Sequence, residues 1–214
     1  MAAKSTAEPH RDEADETPAR QRILDAAFSA FMERGFAETS TLEIATRARV
    51  SKRELYALVG SKQEMLTACI GERARRLQMP AGLPEPHDRD TLARVLETFG
   101  AQLLREVSDP TVIAVFRLAA AEAVRAPEAA HALNSLGVEP SRAALREVMN
   151  RARSAGLLHG DPAEMAEHFA GLLWGNLMTG LLLKTAERPT PRQIARRAKT
   201  AAAALLQLYA QPTP

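Results

Sequence analysis

Three Ser-x-x-Glu patterns follow one another closely in this sequence, at Ser40/Glu43, Ser51/Glu54 and Ser61/Glu64. A serine just before a helix accepts a hydrogen bond from the backbone N–H three residues on, and the glutamate there can reach back to the serine N–H. Three such patterns at intervals of 11 and 10 residues predict three successive helix starts separated by tight turns. The pair 41–48 and 52–59 has the lengths and the short turn of a helix-turn-helix.

The rest of the chain is also predicted to be helical, because Ala, Leu, Arg and Glu dominate and no segment keeps a period of two. Four capping residues precede a proline at the first helical position: Thr17-Pro18, Asp109-Pro110, Asp161-Pro162 and Thr190-Pro191. Glu164 and Gln193 stand three residues after their caps and complete two capping boxes. About nine helices result, with ranges 18–34, 41–48, 52–59, the fourth from Ser61, 88–107, 110–125, 127–155 (broken near Gly137 to Pro140), 162–186 and 191–210. The predicted fold class is all-α.

Charge is unevenly distributed along the 214 residues, although the whole chain carries only +2. Residues 1–17 carry −3, residues 18–80 carry +4, and residues 81–214 carry +1. The acidic start is polar and unpatterned, which predicts disorder. Three prolines mark a linker at 80–87. The predicted organisation is a tail (1–17), a basic N-terminal domain (18–79) and a larger C-terminal domain (88–211).

Several classes of protein are excluded by composition. One cysteine rules out a disulfide framework and a Cys-based zinc module, and it suits a reducing cytoplasm. No signal peptide is evident, and the longest apolar stretch, Phe169 to Leu183, is too short and interrupted to span a membrane. Five scattered histidines and the lack of nucleotide or metal motifs predict no catalytic set, no metal site and no cofactor. Glu164 and His168 lie four apart, where an ion pair on the helix surface is the commoner alternative to a metal site.

Residues 22–70 resemble the DNA-binding domain of TetR/AcrR-type transcriptional regulators. The resemblance is carried by Ile23-Leu24-Asp25-Ala26-Ala27, Phe31, Gly35-Phe36, Thr39, Ile44-Ala45, Val50-Ser51-Lys52, Leu55-Tyr56 and Ser61-Lys62. It implies an N-terminal three-helix helix-turn-helix domain, followed by a C-terminal helical domain for ligand binding and dimerisation. The protein is thus expected to be a cytoplasmic homodimer that binds a pseudo-palindromic double-stranded DNA operator, acts as a repressor, and is released by a small hydrophobic or aromatic effector.

The predicted DNA-binding residues lie on the second and third helices and at helix N-termini. Lys52, Arg53 and Tyr56 form a basic and aromatic face able to enter a major groove. Helix N-termini suit phosphates. The resemblance assigns Thr41, Tyr56 and Lys62 to the DNA backbone, and Lys52 and Arg53 to bases or flanking phosphates. The complete predicted set is Ser40, Thr41, Arg49, Ser51, Lys52, Arg53, Tyr56 and Lys62.

Four positions depart from the usual family pattern. Arg49 replaces a common glycine, which costs about 1 kcal/mol if the position is left-handed. Glu54 replaces a common threonine; it either closes the capping box on Ser51 or accepts a hydrogen bond from a cytosine. Leu58 and Val59 replace a common aromatic pair. Arg47 and Arg49 either bind phosphates or are simply solvated. These departures motivate an alternative function, a helical small-molecule carrier or enzyme with a degenerate DNA-binding head.

The C-terminal domain is expected to hold an effector pocket and a dimer interface. Predicted pocket residues are Phe99, Leu103, Phe116, His131, Trp174, Asn176 and Met178, with His131 and Asn176 as polar anchors. Apolar stripes of this kind also occur as plain core, and the two polar residues also fit a structural role. Predicted interface residues are Gly171, Leu172, Gly175, Leu181, Ile194, Ala201, Leu205 and Leu208. The alternative for these last two helices is that one of them is fully internal.

Overall fold

The computed structural model describes residues 18–75 and 84–210. These residues form eleven α-helices and one π-helical turn, and they contain no strand. The all-α fold class is therefore confirmed. The predicted tail 1–17, the cap at Thr17 and the first half of the linker 80–87 lie outside the described residues.

Two compact units make up the chain, and the division falls inside the fourth helix, between Cys69 and Ile70. The N-terminal unit, called the head below, contains α1 (Pro18–Arg34), α2 (Thr41–Ala48), α3 (Lys52–Val59) and most of α4 (Lys62–Arg75). The division lies earlier than residue 79, where the proline-based boundary placed it.

Helix α1 buries one apolar face, made by Ile23, Leu24, Ala27, Ala30 and Phe31. The helix ends where Gly35 takes the left-handed conformation (φ +81°) and donates its N–H to the Phe31 carbonyl at 2.9 Å. Phe36 then folds back onto Phe31, with the ring centroids 5.3 Å apart. A left-handed residue that satisfies a last-turn carbonyl is a common way to end a helix.

Serine caps begin the next three helices, as predicted. The hydroxyl oxygens of Ser40, Ser51 and Ser61 accept the N–H groups three residues on, at 3.1, 3.1 and 3.2 Å. Only the third capping box closes in the described structure, because Ser61 N–H donates to the Glu64 carboxylate at 2.6 Å. Hydrogen bonds to the Glu64 carboxylate from the Ser61 backbone N–H, and then from the Ser61 side chain, lower the pKa of Glu64.

The C-terminal unit contains the remaining helices. They are α5 (Arg89–Val107), α6 (Pro110–Glu122), α7 (Pro127–Leu133), the π-helical turn (Asn134–Val138), α8 (Glu139–Ser154), α9 (Pro162–Trp174), α10 (Leu177–Leu183) and α11 (Pro191–Leu208). Helix α11 begins with the complete capping box between Thr190 and Gln193 that the sequence predicts. The box predicted at Asp161 does not close: Asp161 accepts the Glu164 N–H, but the Glu164 carboxylate interacts with Tyr209.

Two predicted long helices are interrupted, which is why eleven helices replace about nine. The region 162–186 breaks at Gly175, whose φ of +48° is left-handed. The Arg197 guanidinium donates to the Leu173 and Trp174 carbonyls at 3.2 and 3.0 Å and satisfies the end of α9. The region 127–155 is interrupted by the π-helical turn, at the predicted break near Gly137.

The core of the C-terminal unit forms where α11 packs against α5 and α9. Gly100 of α5 permits this close packing, since a Cβ there would lie 3.0 Å from Leu173 Cδ1 and 3.2 Å from Phe169 Cζ. Phe99 and Phe169 are fully buried in this core. Most of the apolar face of α11 is buried against other helices of the same unit.

Candidate functional site

Helix α3 presents a polar and basic face to solvent. Lys52, Arg53, Glu54 and Tyr56 are exposed, whereas Leu55 is completely buried and anchors the helix in the head. Within residues 52–56, one buried residue thus anchors the helix while the other four side chains are exposed to solvent. The predicted set Lys52, Arg53 and Tyr56 lies together on this face.

Tyr56 connects the two helices of the helix-turn-helix. Its hydroxyl lies 3.3 Å from the Thr41 hydroxyl at the start of α2, within hydrogen-bond distance. The Lys52 ammonium lies 5.9 Å from the centre of the Tyr56 ring. These contacts group three predicted DNA-binding residues into one small surface.

Arginines of the head differ in whether an acidic side chain neutralises them. Arg47 donates to Glu33 at 2.8 Å and to Glu43 at 2.7 Å. The hydrogen bond from Arg47 is the main cause that lowers the pKa of Glu33. Arg49 and Arg53 are exposed and have no hydrogen bond or ion pair from their side chains to any described residue. Arg47 is therefore ion-paired and not simply solvated, and its phosphate contact stays a prediction.

The turn between α2 and α3 is left-handed at Arg49, with φ 57° and ψ 46°. Arg49 N–H donates to the Thr46 carbonyl at 3.2 Å, and Val50 N–H donates to the Ala45 carbonyl at 3.1 Å. The turn is thus a standard helix C-cap in a conformation that glycine favours. The left-handed conformation is thus the one for which a cost of about 1 kcal/mol is predicted for an arginine.

Glu54 does not close a capping box in the described structure. Its N–H donates to the Ser51 hydroxyl, but its exposed carboxylate accepts no hydrogen bond from any described residue. Of its two alternatives, the cap is not observed and the base contact stays a prediction.

Lys62 is tied to the turn that follows α1. Its ammonium donates to the Ala37 carbonyl at 3.1 Å and lies 4.5 Å from the centre of the Phe36 ring. An ammonium has three N–H donors, so this bond leaves two for other acceptors. Its predicted phosphate contact is compatible with this position but is not tested by it.

Leu42 is a surface residue that the sequence analysis missed. It directly follows Thr41 on α2 and is 63% exposed, although it is a large apolar side chain. The available signal was its position off the face that carries Ile44, Ala45 and Ala48.

A cavity of about 180 Å³ lies in the C-terminal unit. Four predicted pocket residues line it: Leu103, Phe116, Trp174 and Met178. The other lining residues, which the sequence analysis missed, are Val107, Gly137, Val138, Ser141, Arg142, Leu145 and Ala170. Among the features of the sequence, only the predicted helix break near Gly137 indicated an irregular segment in this part of the cavity wall.

Three predicted pocket residues do not line the cavity. Phe99 is fully buried and belongs to the packed core of this unit instead. His131 is exposed on α7, and Asn176 is exposed at the start of α10. The polar groups that line the cavity are Ser141 and Arg142.

The predicted dimer residues fall into two groups. Gly171, Leu172, Gly175 and Leu208 are exposed. Leu181, Ile194, Ala201 and Leu205 are buried within the unit, and each belongs to its core. The second group is covered by the chain itself and is not available to a partner in this conformation.

Glu164 and His168 do not form an ion pair in the described structure. His168 Nδ1 lies 2.6 Å from the Tyr209 hydroxyl, with which it shares a hydrogen bond. Burial, and then the nearby Glu164 and Asp161 carboxylates, raise the pKa of Tyr209. Within residues 18–75 and 84–210, no group of three or more His, Cys, Asp or Glu side chains is placed to hold a metal ion.

The fold and the exposed basic face define a helix-turn-helix protein of the transcription-regulator class. Residues 23–69 match the model of the bacterial regulatory proteins of the tetR family, and residues 94–211 match that of the C-terminal domain of AefR-like transcriptional repressors. The second match alone spans more than half of the chain. The chain belongs to the TetR family of transcriptional regulators.

Solved structures support this assignment over the length of the chain. A TetR transcriptional regulator from Agrobacterium tumefaciens is 28% identical, with 90% of this chain and 94% of that chain covered and a TM-score of 0.78. The flavonoid-responsive regulator FrrA is also 28% identical, with 91% and 98% covered and a TM-score of 0.75. A TetR-family regulator from Pseudomonas syringae pv. tomato DC3000 is 25% identical, with 90% and 97% covered and a TM-score of 0.69.

No curated protein sequence matches the chain significantly. Across the described residues, no helix is both long enough and apolar enough to cross a bilayer.

Proposed function

We propose that this protein is a cytoplasmic, homodimeric repressor that binds a double-stranded DNA operator and releases it when a small hydrophobic effector binds. The observation that carries the DNA-binding part is the face of α3, where Lys52 and Arg53 are exposed and unneutralised by any described acidic residue. A helix with such a face enters the major groove, where an arginine donates two hydrogen bonds to a guanine.

Each DNA-binding residue has a distinct role in this proposal. Arg53 and Lys52 contact base edges or neighbouring phosphates, while Tyr56 and Thr41 contact the DNA backbone as a hydrogen-bonded pair. Ser40 and Ser51 lie at helix N-termini, where phosphates bind favourably, and Arg49 adds a positive charge in the turn before α3. Lys62 contributes a further positive charge.

A homodimer supplies the second recognition helix. Two such helices bind half-sites about 34–36 Å apart on adjacent turns of the duplex. Support for an interface comes from the exposed small and apolar residues of α9 and α11, namely Gly171, Leu172, Gly175 and Leu208. Leu172 also lines an open groove of about 810 Å³ that runs beside α11, together with Gln193 and Thr200.

An effector acts by binding one state of the dimer more tightly than another. Binding in the cavity releases DNA only if the effector prefers the conformation whose heads do not fit the operator. The apolar wall formed by Leu103, Phe116, Trp174 and Met178 supports a hydrophobic or aromatic effector. A flavonoid-responsive structural relative adds support for an aromatic class of effector.

Two arginine substitutions test the DNA-binding role. With an operator selected from random duplexes by the wild-type protein, we expect Arg53→Ala to weaken specific binding by about 1–3 kcal/mol, because a bidentate base contact is lost. We expect Arg47→Ala to change binding by less than about 0.5 kcal/mol, since Glu33 and Glu43 already hold that charge. Affinities are measured by fluorescence anisotropy at several salt concentrations.

The outcomes separate three conclusions. An unchanged sequence preference in Arg53→Ala removes this residue from base recognition. A larger loss in Arg47→Ala than in Arg53→Ala places the DNA on a different face of the head. If the wild-type protein does not bind duplex DNA even at low salt, the chain is a carrier or enzyme with a degenerate head and the proposal is wrong.

A further inference from the structure

Arg142 is the only charged residue among the described residues that line the cavity. It lies on α8, one residue after Ser141 and three before Leu145, which also line the cavity. The side chain is exposed, which places the charge at the opening of the cavity to solvent. Every other lining residue except Ser141 is apolar or glycine.

No acidic partner holds the Arg142 guanidinium within the described residues. The nearest acidic neighbour on the same helix is Glu139, and Arg146 already donates to its carboxylate at 2.6 Å. The hydrogen bond from Arg146, followed by the charges of Arg146 and Arg142, lowers the pKa of Glu139. The single carboxylate of Glu139 thus lies near both Arg146 and Arg142 but is bonded to Arg146. One positive charge, that of Arg142, remains at the opening of the cavity.

Ser141 does not compete for the same ligand group. Its hydroxyl donates to the Gly137 carbonyl at 3.1 Å, in the π-helical turn, so its only hydrogen is committed. Arg142 is therefore the strongest free donor on the cavity wall. A guanidinium recognises planar anions by two parallel hydrogen bonds, which is the geometry of a carboxylate.

The size of the cavity limits the apolar part of a ligand. An apolar cavity of about 150 Å³ accommodates a benzene molecule. The present cavity, of about 180 Å³, therefore fits one six-membered ring or an aliphatic group of similar size between Phe116, Trp174 and Met178. A larger ring system does not fit without rearrangement of the wall.

We propose that the cavity binds a small carboxylic acid in its ionised form, with a single ring or a short branched chain inside and the carboxylate on Arg142. This inference rests on the proposed function, because it takes the ligand to be the effector. It names the chemical class of that effector. It distinguishes this protein from one that binds neutral polycyclic compounds.

The only tryptophan of the chain, Trp174, lines the cavity and reports its occupancy by intrinsic fluorescence. The probes are benzoate, neutral benzamide and cationic benzylamine, titrated into the full-length protein to millimolar concentration, with calorimetry as a second measurement. We expect benzoate to bind at least about threefold more tightly than benzamide and to be weakened by salt, and benzylamine to bind most weakly.

Two variants of Arg142 and one control assign the selectivity to this residue. We expect Arg142→Gln to weaken benzoate binding about three- to tenfold and to leave benzamide unchanged, because only the charged contact is lost. Arg142→Lys keeps the positive charge but loses the two parallel donors of the guanidinium. It should retain part of the preference for benzoate over benzamide. Arg153→Gln, an exposed arginine on the same helix that does not line the cavity, should bind benzoate like the wild type.

Equal binding of benzoate and benzamide would overturn the proposal, as would a benzoate affinity unchanged in Arg142→Gln or the absence of any signal with all three probes. Binding of labelled duplex DNA is measured on the same samples without a probe. Benzoate binding through Arg142 in a protein that does not bind DNA would refute the regulator and keep the ligand class. DNA binding without benzoate binding would keep the regulator and refute the ligand class.

Discussion

The candidate DNA-contacting face and the cavity differ in how their residues are brought together. In the head, Thr41, Lys52, Arg53 and Tyr56 belong to two consecutive short helices whose ends are set by serine hydroxyls and by the left-handed turn at Arg49. In the C-terminal unit, the cavity wall extends along the chain from Leu103 to Met178 and includes parts of α5, α6, the π-helical turn, α8, α9 and α10.

This difference shows which interactions control each region. The face of the head depends on local hydrogen bonds and on one small core around Ile44, Ala45 and Leu55. The cavity depends on the packing of helices that are distant in the sequence. Substitutions of core residues should therefore disturb the C-terminal unit strongly, whereas substitutions of caps should have smaller effects that are similar in both units.

The largest expected effect tests the long-range packing. Phe99→Ala should lower the free energy of unfolding by about 3–5 kcal/mol, because the side chain is fully buried in the core beside Gly100. Phe116→Ala should lower it by less, since Phe116 is only half-buried and already borders an open space. Denaturant unfolding followed by Trp174 fluorescence measures both. Equal losses for the two variants would show that the cavity wall is packed as tightly as the core.

An intermediate effect compares the same local device in the two units. Arg49 and Lys184 are the non-glycine residues with positive φ among the described residues, at 57° and 59°. Arg49→Gly and Lys184→Gly should each stabilise their helix ends by about 0.5–1 kcal/mol, because glycine adopts this conformation without a steric penalty but is more flexible when unfolded.

Hydrogen exchange of the amides in α2 and α10 measures these two gains separately. Lys199→Gly, within the exposed face of α11, is the control and should cost about 1 kcal/mol. A loss of protection in Arg49→Gly but not in Lys184→Gly would mean that the Arg49 side chain stabilises the head by contacts beyond its backbone conformation.

The smallest effect concerns the closed capping box at Ser61. Because its pKa is lowered in the folded protein, the Glu64 carboxylate contributes stability above its unfolded pKa of about 4.3 and loses that contribution as the pH falls through the folded pKa. Glu64→Gln should therefore flatten the loss of stability between about pH 5 and pH 3. The measurement is thermal unfolding of the helical circular dichroism signal at each pH.

Glu54→Gln is the matched control for this prediction, because Ser51 N–H makes no hydrogen bond to that carboxylate in the described structure. It should keep the acid dependence of the wild type. If Glu64→Gln and Glu54→Gln flatten the pH dependence of stability equally, the capping box at Ser51 also closes in solution.

Helix starts in the head were predictable from the sequence because a cap is a contact between residues three apart. The same logic failed for Glu54, whose carboxylate accepts no hydrogen bond from any described residue, and for Glu164, because a side chain can take a partner that the fold brings near. For Glu164 that partner is Tyr209, which follows α11 and is distant in the sequence. Similarly, the pairing of Arg47 with Glu33 joins two helices and is not visible in any local pattern.

Pocket residues were only partly predictable, because helical periodicity identifies an apolar face without telling which of its members border a void. Phe99 and Leu103 lie one turn apart on α5, yet Phe99 is in the packed core and Leu103 lines the cavity. Arg142 and Ser141 escaped prediction because their position depends on the π-helical turn that precedes α8. The predicted dimer residues fall into an exposed group and a buried group for a related reason, since α11 packs much of its apolar face against α5.

The sequence by itself determined that the described residues form helices and no strands, where most helices begin, and that the N-terminal part carries the pattern of a TetR-type DNA-binding domain. The first two properties follow from capping hydrogen bonds and apolar periodicity, both of which act over a few residues, and the third rests on the resemblance of residues 22–70 to that family. Only the tertiary structure decided which arginines are neutralised, which apolar residues surround a cavity, and which parts of α9 and α11 stay exposed. Those outcomes depend on side chains far apart in the chain, whose meeting is fixed by packing.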